Sequence, residues 1–134
     1  MIDIAEVARL LFERCEGLSL PLALPEAPNT FSPPADGRYF EARFFPNGNA
    51  WEAVRRGALA QGLLQVTAVQ RKNRGLVPLY QRAAEAKALF ARPLALHGPG
   101  VKVTVSNDPV EGAPLVDASE VRVSVTVRWN ATAV

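Results

Sequence analysis

Apolar residues recur along this chain with two different periods, and the switches between them divide it into elements. Ile4, Val7, Ala8, Leu11 and Cys15 follow one another at helical spacing, behind Asp3 with Glu6 three residues later. That is a capping-box arrangement with Asp in the usual Ser/Thr place, and Gly17 is the stop, so a short amphipathic helix is predicted over about 3–16. Leu18, Leu20, Leu22 and Leu24 then alternate with Ser19, Pro21, Ala23 and Pro25, a strand that its prolines confine to an edge or an extended arm. Pro28 to Pro34 reads as a stiff, extended loop, and Arg38 to Phe45 as a second strand ended by Pro46-Asn47-Gly48-Asn49. Residues 50–60 fit neither period and read as a connecting loop with room for a helical turn.

Gly62 to Gln70 is a strand with one apolar face. Asn73-Arg74-Gly75 breaks it, and Pro78 opens a helix running to Phe90 and Ala91. Pro93 and His97-Gly98-Pro99-Gly100 force a turn, and Val101, Val103 and Val105 alternate in a short strand. Asn107 to Ser119, with Pro109, Gly112 and Pro114 and no periodicity, reads as a long flexible loop. Val121, Val123, Val125, Val127 and Trp129 alternate with polar residues in the cleanest strand of the chain. The sum is an α+β domain: a mostly antiparallel four- to five-stranded sheet with two helices packed on one face. Val121, Val123, Val125 and Val127 are expected to meet Leu79, Ala83, Ala86 and Phe90 of the second helix.

With 134 residues and no internal repeat or linker, residues 1–134 are expected to form a single domain burying roughly two-thirds of its unfolded surface. The 15 basic and 13 acidic residues are interspersed, too weak a bias to imply nucleic acid or an anionic membrane. One cysteine, Cys15, suits a reducing compartment. Asp3, Glu6, Arg9 and Glu13 interrupt every apolar stretch near the start, so no targeting segment is expected and the protein reads as soluble and made in a cytoplasm.

Catalytic, metal-binding and cofactor-binding chemistry has little to stand on, and none is assigned. His97 is the one histidine, beside a glycine–proline turn, and a Cys15–His97 pair lacks surroundings that would activate a thiolate. Gly98-Pro99-Gly100 is not followed by Lys-Ser or Lys-Thr, and its proline removes an amide donor that a phosphate loop needs. Glu111, Asp117 and Glu120 lie in or beside a loop, poor support for a positioned acid/base pair. Asn130-Ala131-Thr132 is a chance glycosylation match. What remains is a candidate interface: Arg55 and Arg56, the basic turn Arg71, Lys72 and Arg74, and the loop aromatic Trp51.

The order of the segments carries a resemblance. Leu22-Ala23-Leu24-Pro25 leading into Asn29-Thr30-Phe31-Ser32-Pro33-Pro34 resembles the "strand, Asn, aromatic, Pro" opening of tail terminator-like proteins of long-tailed bacteriophages. Tyr39 to Pro46 looks like the strand that follows there, and Gly62-Leu63-Leu64-Gln65-Val66 is similar to a "Gly, apolar, apolar, Gln, Val" strand. Gly75 before a helix ending in Phe90, then a Val-rich strand and a last strand closing on Trp129, completes the pattern over roughly 20–130. An aromatic often precedes the family's Asn, where this chain has Pro28.

The resemblance implies a structural virion protein without cofactors. Such proteins form a hexameric ring at the head-proximal end of the tail tube, end its polymerisation and present a surface for head attachment. The implied partners are further copies of itself, the tail tube protein and the head-completion or stopper protein, with genomic DNA passing through the lumen. Another head–tail joining or tube protein is the alternative reading, and a small Cys/His enzyme a more distant one.

Overall fold

The computed structural model describes residues 2–27, 30–47 and 59–134. Helix α1, Ile4–Cys15, starts where the sequence places it: the Asp3 carboxylate accepts from the Ala5 amide at 3.0 Å. The reciprocal half of the capping box is not made, because the Glu6 carboxylate holds Arg9 at 2.6 Å instead. Val7, Leu10, Leu11 and Cys15 are buried, and the Gly17 amide donates back to the Arg14 carbonyl beyond the last turn.

Among the described residues the sheet has eight strands, six in the order β1-β2-β3-β8-β5-β4 and two more, β6 and β7, paired to β8. Strand β1, Leu22–Ala23, is far shorter than the alternation from Leu18 to Leu24 suggests. Pro21 and Pro25 flank it and supply no amide for a longer ladder. It runs parallel to β2, Tyr39–Pro46, which corrects the expected sheet in one respect. The second correction is size, eight strands against four or five. Strand β3, Leu59–Arg71, begins before Gly62 and pairs antiparallel with β2 and along its whole length with β8, Glu120–Ala133. The rest of the 50–60 stretch lies outside the described residues.

Between β3 and the later strands comes α2, Leu76–Leu89, whose first turn contains Pro78 and which is capped by Phe90. Next, β4, Ala95–Gly98, pairs with β5, Val101–Val105, through a two-residue turn in which Gly100 has φ 74°. His97 and Gly98 are thus strand residues, not the turn expected of them. The 107–119 segment, expected to lack structure, holds β6, Val110–Glu111, and β7, Leu115–Val116. Together with β5, these short strands cover the second edge of β8.

One hydrophobic core joins both helices to one face of the sheet. It contains Val121, Val123, Val125, Val127 and Trp129 from β8, Leu64, Val66 and Ala68 from β3, and Leu79, Ala83, Ala86 and Phe90 from the α2 segment. The expected meeting of the β8 valines with the second helix therefore holds. Helix α1 touches β2 on one flank and β4 and β5 on the other. In a flat sheet those flanks would stand about 19 Å apart at ordinary strand spacing, wider than a helix. The sheet therefore curls into a half-barrel around α1.

Candidate functional site

The sequence-predicted interface divides into two parts. Trp51, Arg55 and Arg56 lie outside the described residues. Arg71, Lys72 and Arg74 are exposed in the turn between β3 and α2. Two hydrogen bonds hold this turn: the Gln70 side-chain Nε2 donates to the Gly75 carbonyl at 2.6 Å, and the Lys72 backbone amide to the Ser119 carbonyl at 3.0 Å. Asn73 and Gly75 take positive φ, 67° and 85°, to turn the chain from strand into helix. The other end of the thirteen-residue β3, at Leu59, lies about 40 Å of strand from this turn.

The structure adds exposed apolar residues to the end that carries the basic turn. Leu76 and Val77 begin α2 with 47% and 69% of their surface open, and Leu115 and Val116 on β7 are 66% and 60% open. Val116 stands opposite Val121, which stands opposite Gln70, so these residues share one end of the sheet with Arg71, Lys72 and Arg74. An apolar patch with a cationic border has the composition of an interface more than of a catalytic cleft. A sequence cue existed: Leu115-Val116 is an isolated apolar pair between Pro114 and Asp117.

At the opposite end, Phe45 and Leu63 are exposed beside Arg128, around an open depression of about 590 Å³ that reaches Trp129. The Trp129 ring stacks on Phe44 at 5.5 Å between centroids, and Phe12 meets the other ring of that pair edge-on at 6.1 Å. Gly62 stands opposite Trp129, and a Cβ there would lie 2.6 Å from the indole Cζ2. The glycine opening the third motif and the tryptophan closing the last strand are thus one packed pair.

On the outer face, Arg122 bonds Glu41 and, at 2.8 Å, Glu120, while the Tyr39 hydroxyl donates to Glu120 at 3.2 Å. Burial, then the carboxylates of Glu120 and Glu41, push the Tyr39 phenol up from its ordinary pKa. Glu41, Arg122 and Glu120 tie β2 to β8 across β3. Asp117 accepts from the Ser119 and Glu120 amides at 2.9 and 2.7 Å, which hold its carboxyl below the usual range. Glu111 pairs with Lys87 at 2.9 Å. All three acids singled out in the sequence are therefore engaged in holding the β6–β8 region together.

Cys15 is fully buried, and burial pushes its thiol up to about 12. His97 is exposed on β4. The fold thus buries one member of the suggested Cys15–His97 pair and exposes the other. Among the described residues, no cluster of three His, Cys, Asp or Glu is arranged for a metal ion, and no helix is long and apolar enough to cross a membrane.

Comparison with known proteins agrees with the fold and with the motif order. A solved structure superimposes with a TM-score of 0.75 at 22% identity, covering 98% of this chain and 97% of that one, which establishes a shared fold. No curated protein matches. The family model described as "Phage tail terminator protein" matches residues 6–129, from the first turn of α1 to the Trp129 packed on Gly62. The chain belongs to the phage tail terminator family.

Proposed function

We propose that this protein forms a closed ring on the head-proximal end of the tail tube, ends tube polymerisation there and offers the surface to which the head attaches. Family membership over residues 6–129 carries the reading. The surface agrees with it: exposed apolar residues lie beside cationic ones at two separate ends of the sheet, suited to different neighbours. A ring needs a head-to-tail contact between two unlike patches of each subunit. The tube protein below and a stopper or head-completion protein above are the further partners, and genomic DNA passes through the lumen. In this reading Arg71, Lys72 and Arg74, with Trp51, Arg55 and Arg56, are the candidates for one such patch or for the lumen-facing rim. Charge at such exposed positions acts on encounter and orientation.

A phage lacking this protein tests the reading. Overlong tubes without heads are expected. Tails of normal length that join heads normally would overturn it.

A further inference from the structure

We infer that successive copies of this chain join edge to edge, the β4 strand of one continuing the sheet beyond β2 of the next. This rests on the ring reading and gives it a contact. The Phe40 amide donates outward to Pro21, and the Asn47 amide inward to Gln61. Even-numbered residues of β2 therefore turn their backbone groups away from β3. The parallel register of β1 takes up Phe40 and the Ala42 amide. Beyond it the chain turns away at Pro25 and Glu26, the latter with φ 52°. The Ala42 carbonyl and both backbone groups of Phe44 are left without a partner among the described residues. Pro46 has no amide and closes this free edge.

The outer edge of β4, also without a strand partner among the described residues, matches it. The Val105 amide bonds the Leu94 carbonyl, so Leu94, Leu96 and Gly98 face β5 while Ala95 and His97 face outward. Pro93 and Pro99 bound this edge as well. Four antiparallel steps separate β2 from β4, so the two strands run in the same direction. Rotation about a ring axis lying along the strands preserves that direction, and a neighbour's β4 meets β2 in parallel. With Leu96 beside Phe44, the Ala95 amide reaches the Ala42 carbonyl, the Phe44 amide the Ala95 carbonyl, and the His97 amide the Phe44 carbonyl. Every free amide finds an acceptor, and the one missing donor is that of Pro46. The contact uses two different edges, so it is directional, and its prolines limit it to one short rung set.

Amide exchange on the free subunit and on the ring assembled with purified tail tubes tests this. The amides of Phe44, Ala95 and His97 should gain protection on assembly, whereas that of Ala42 is protected in both states. In parallel, His97→Pro should weaken self-association at least about tenfold in sedimentation. His97→Ala, which keeps the amide, should assemble normally. A ring in which those three amides exchange as freely as in the subunit would overturn the edge contact and leave the ring reading standing. Should His97→Pro fail to fold, exchange on the unaltered protein decides the matter. Absence of any ring on tubes overturns both.

Discussion

Placing a carboxylate at Val125 probes the centre of the fold. Val125 has no exposed surface, stands opposite Val66 on β3, and belongs to the core shared with Leu79, Ala83 and Ala86. Val125→Asp removes an apolar side chain whose burial is worth about 2 kcal/mol. The new group cannot ionise there without large cost. Holding it neutral at pH 7, against an ordinary value near 3.9, costs about 4 kcal/mol at 1.36 kcal/mol per unit. Its unpaired hydroxyl and carbonyl add roughly 1–3 kcal/mol. The total, about 7–9 kcal/mol, equals or exceeds the stability of many domains this size. Because the folded-state pKa is raised, the folded state holds a proton that the unfolded state releases. The added instability therefore grows as pH rises above the unfolded value, and lowering pH from 7 to 5 should return about 3 kcal/mol. Urea unfolding followed by tryptophan fluorescence measures both quantities. The milder Val125→Thr, expected to lose roughly 1–3 kcal/mol, covers the case in which the aspartate variant does not fold. A Val125→Asp protein within about 1 kcal/mol of the parent, or one whose loss is flat between pH 5 and 7, would refute this account of the core.

Three further outcomes are expected. Gly62→Ala should destabilise by about 1–3 kcal/mol through overpacking against the Phe45 carbonyl, the Trp129 ring and the Pro46 backbone, and shift the tryptophan emission; an unchanged melting curve would contradict these contacts. Asp117 has a depressed folded-state pKa, so its support for the turn is present above the usual aspartate value and lost as pH falls through the folded one. Asp117→Asn should therefore flatten the acid side of the stability profile, and an identical profile would count against it. Cys15 should resist thiol reagents at pH 8 until urea unfolds the protein; rapid labelling of the native state would show that the thiol is not sealed in the core.

Legibility in the sequence followed how much of an element's structure its own residues determine. The alternation of Val121 to Trp129 survives intact because one face of β8 is core and the other is not. The Asp3 cap and the Gly17 stop were equally readable, being local hydrogen-bond chemistry. Strands β6 and β7 were not, since two residues carry no period and pair only because β8 offers an edge. At β4, Gly98-Pro99-Gly100 read as a turn that swallowed the strand leading into it. The opposite error occurred from Leu18 to Leu24, where true alternation met prolines that allow a single pair of rungs. Of the candidate interface, basic composition marked Arg71, Lys72 and Arg74. Exposure of Leu76, Val77, Leu115 and Val116 depends on what packs over them, which no local pattern records.

The position of β8 has a consequence for synthesis. It follows β3, β5, β6 and β7 in the chain, yet all four pair with it. While residues up to about 119 are emerging from a ribosome, β3 has one partner, β2, and the helices have only part of the surface they cover. Contacts that close such long stretches make folding slow relative to helical bundles. Until Glu120 to Ala133 is made, Val66 and Leu64 of β3 lack the strand they pair with in the finished sheet. A chain broken off before Glu120 would lack the strand that joins β3 to β5, β6 and β7, leaving the two flanks of the sheet unconnected.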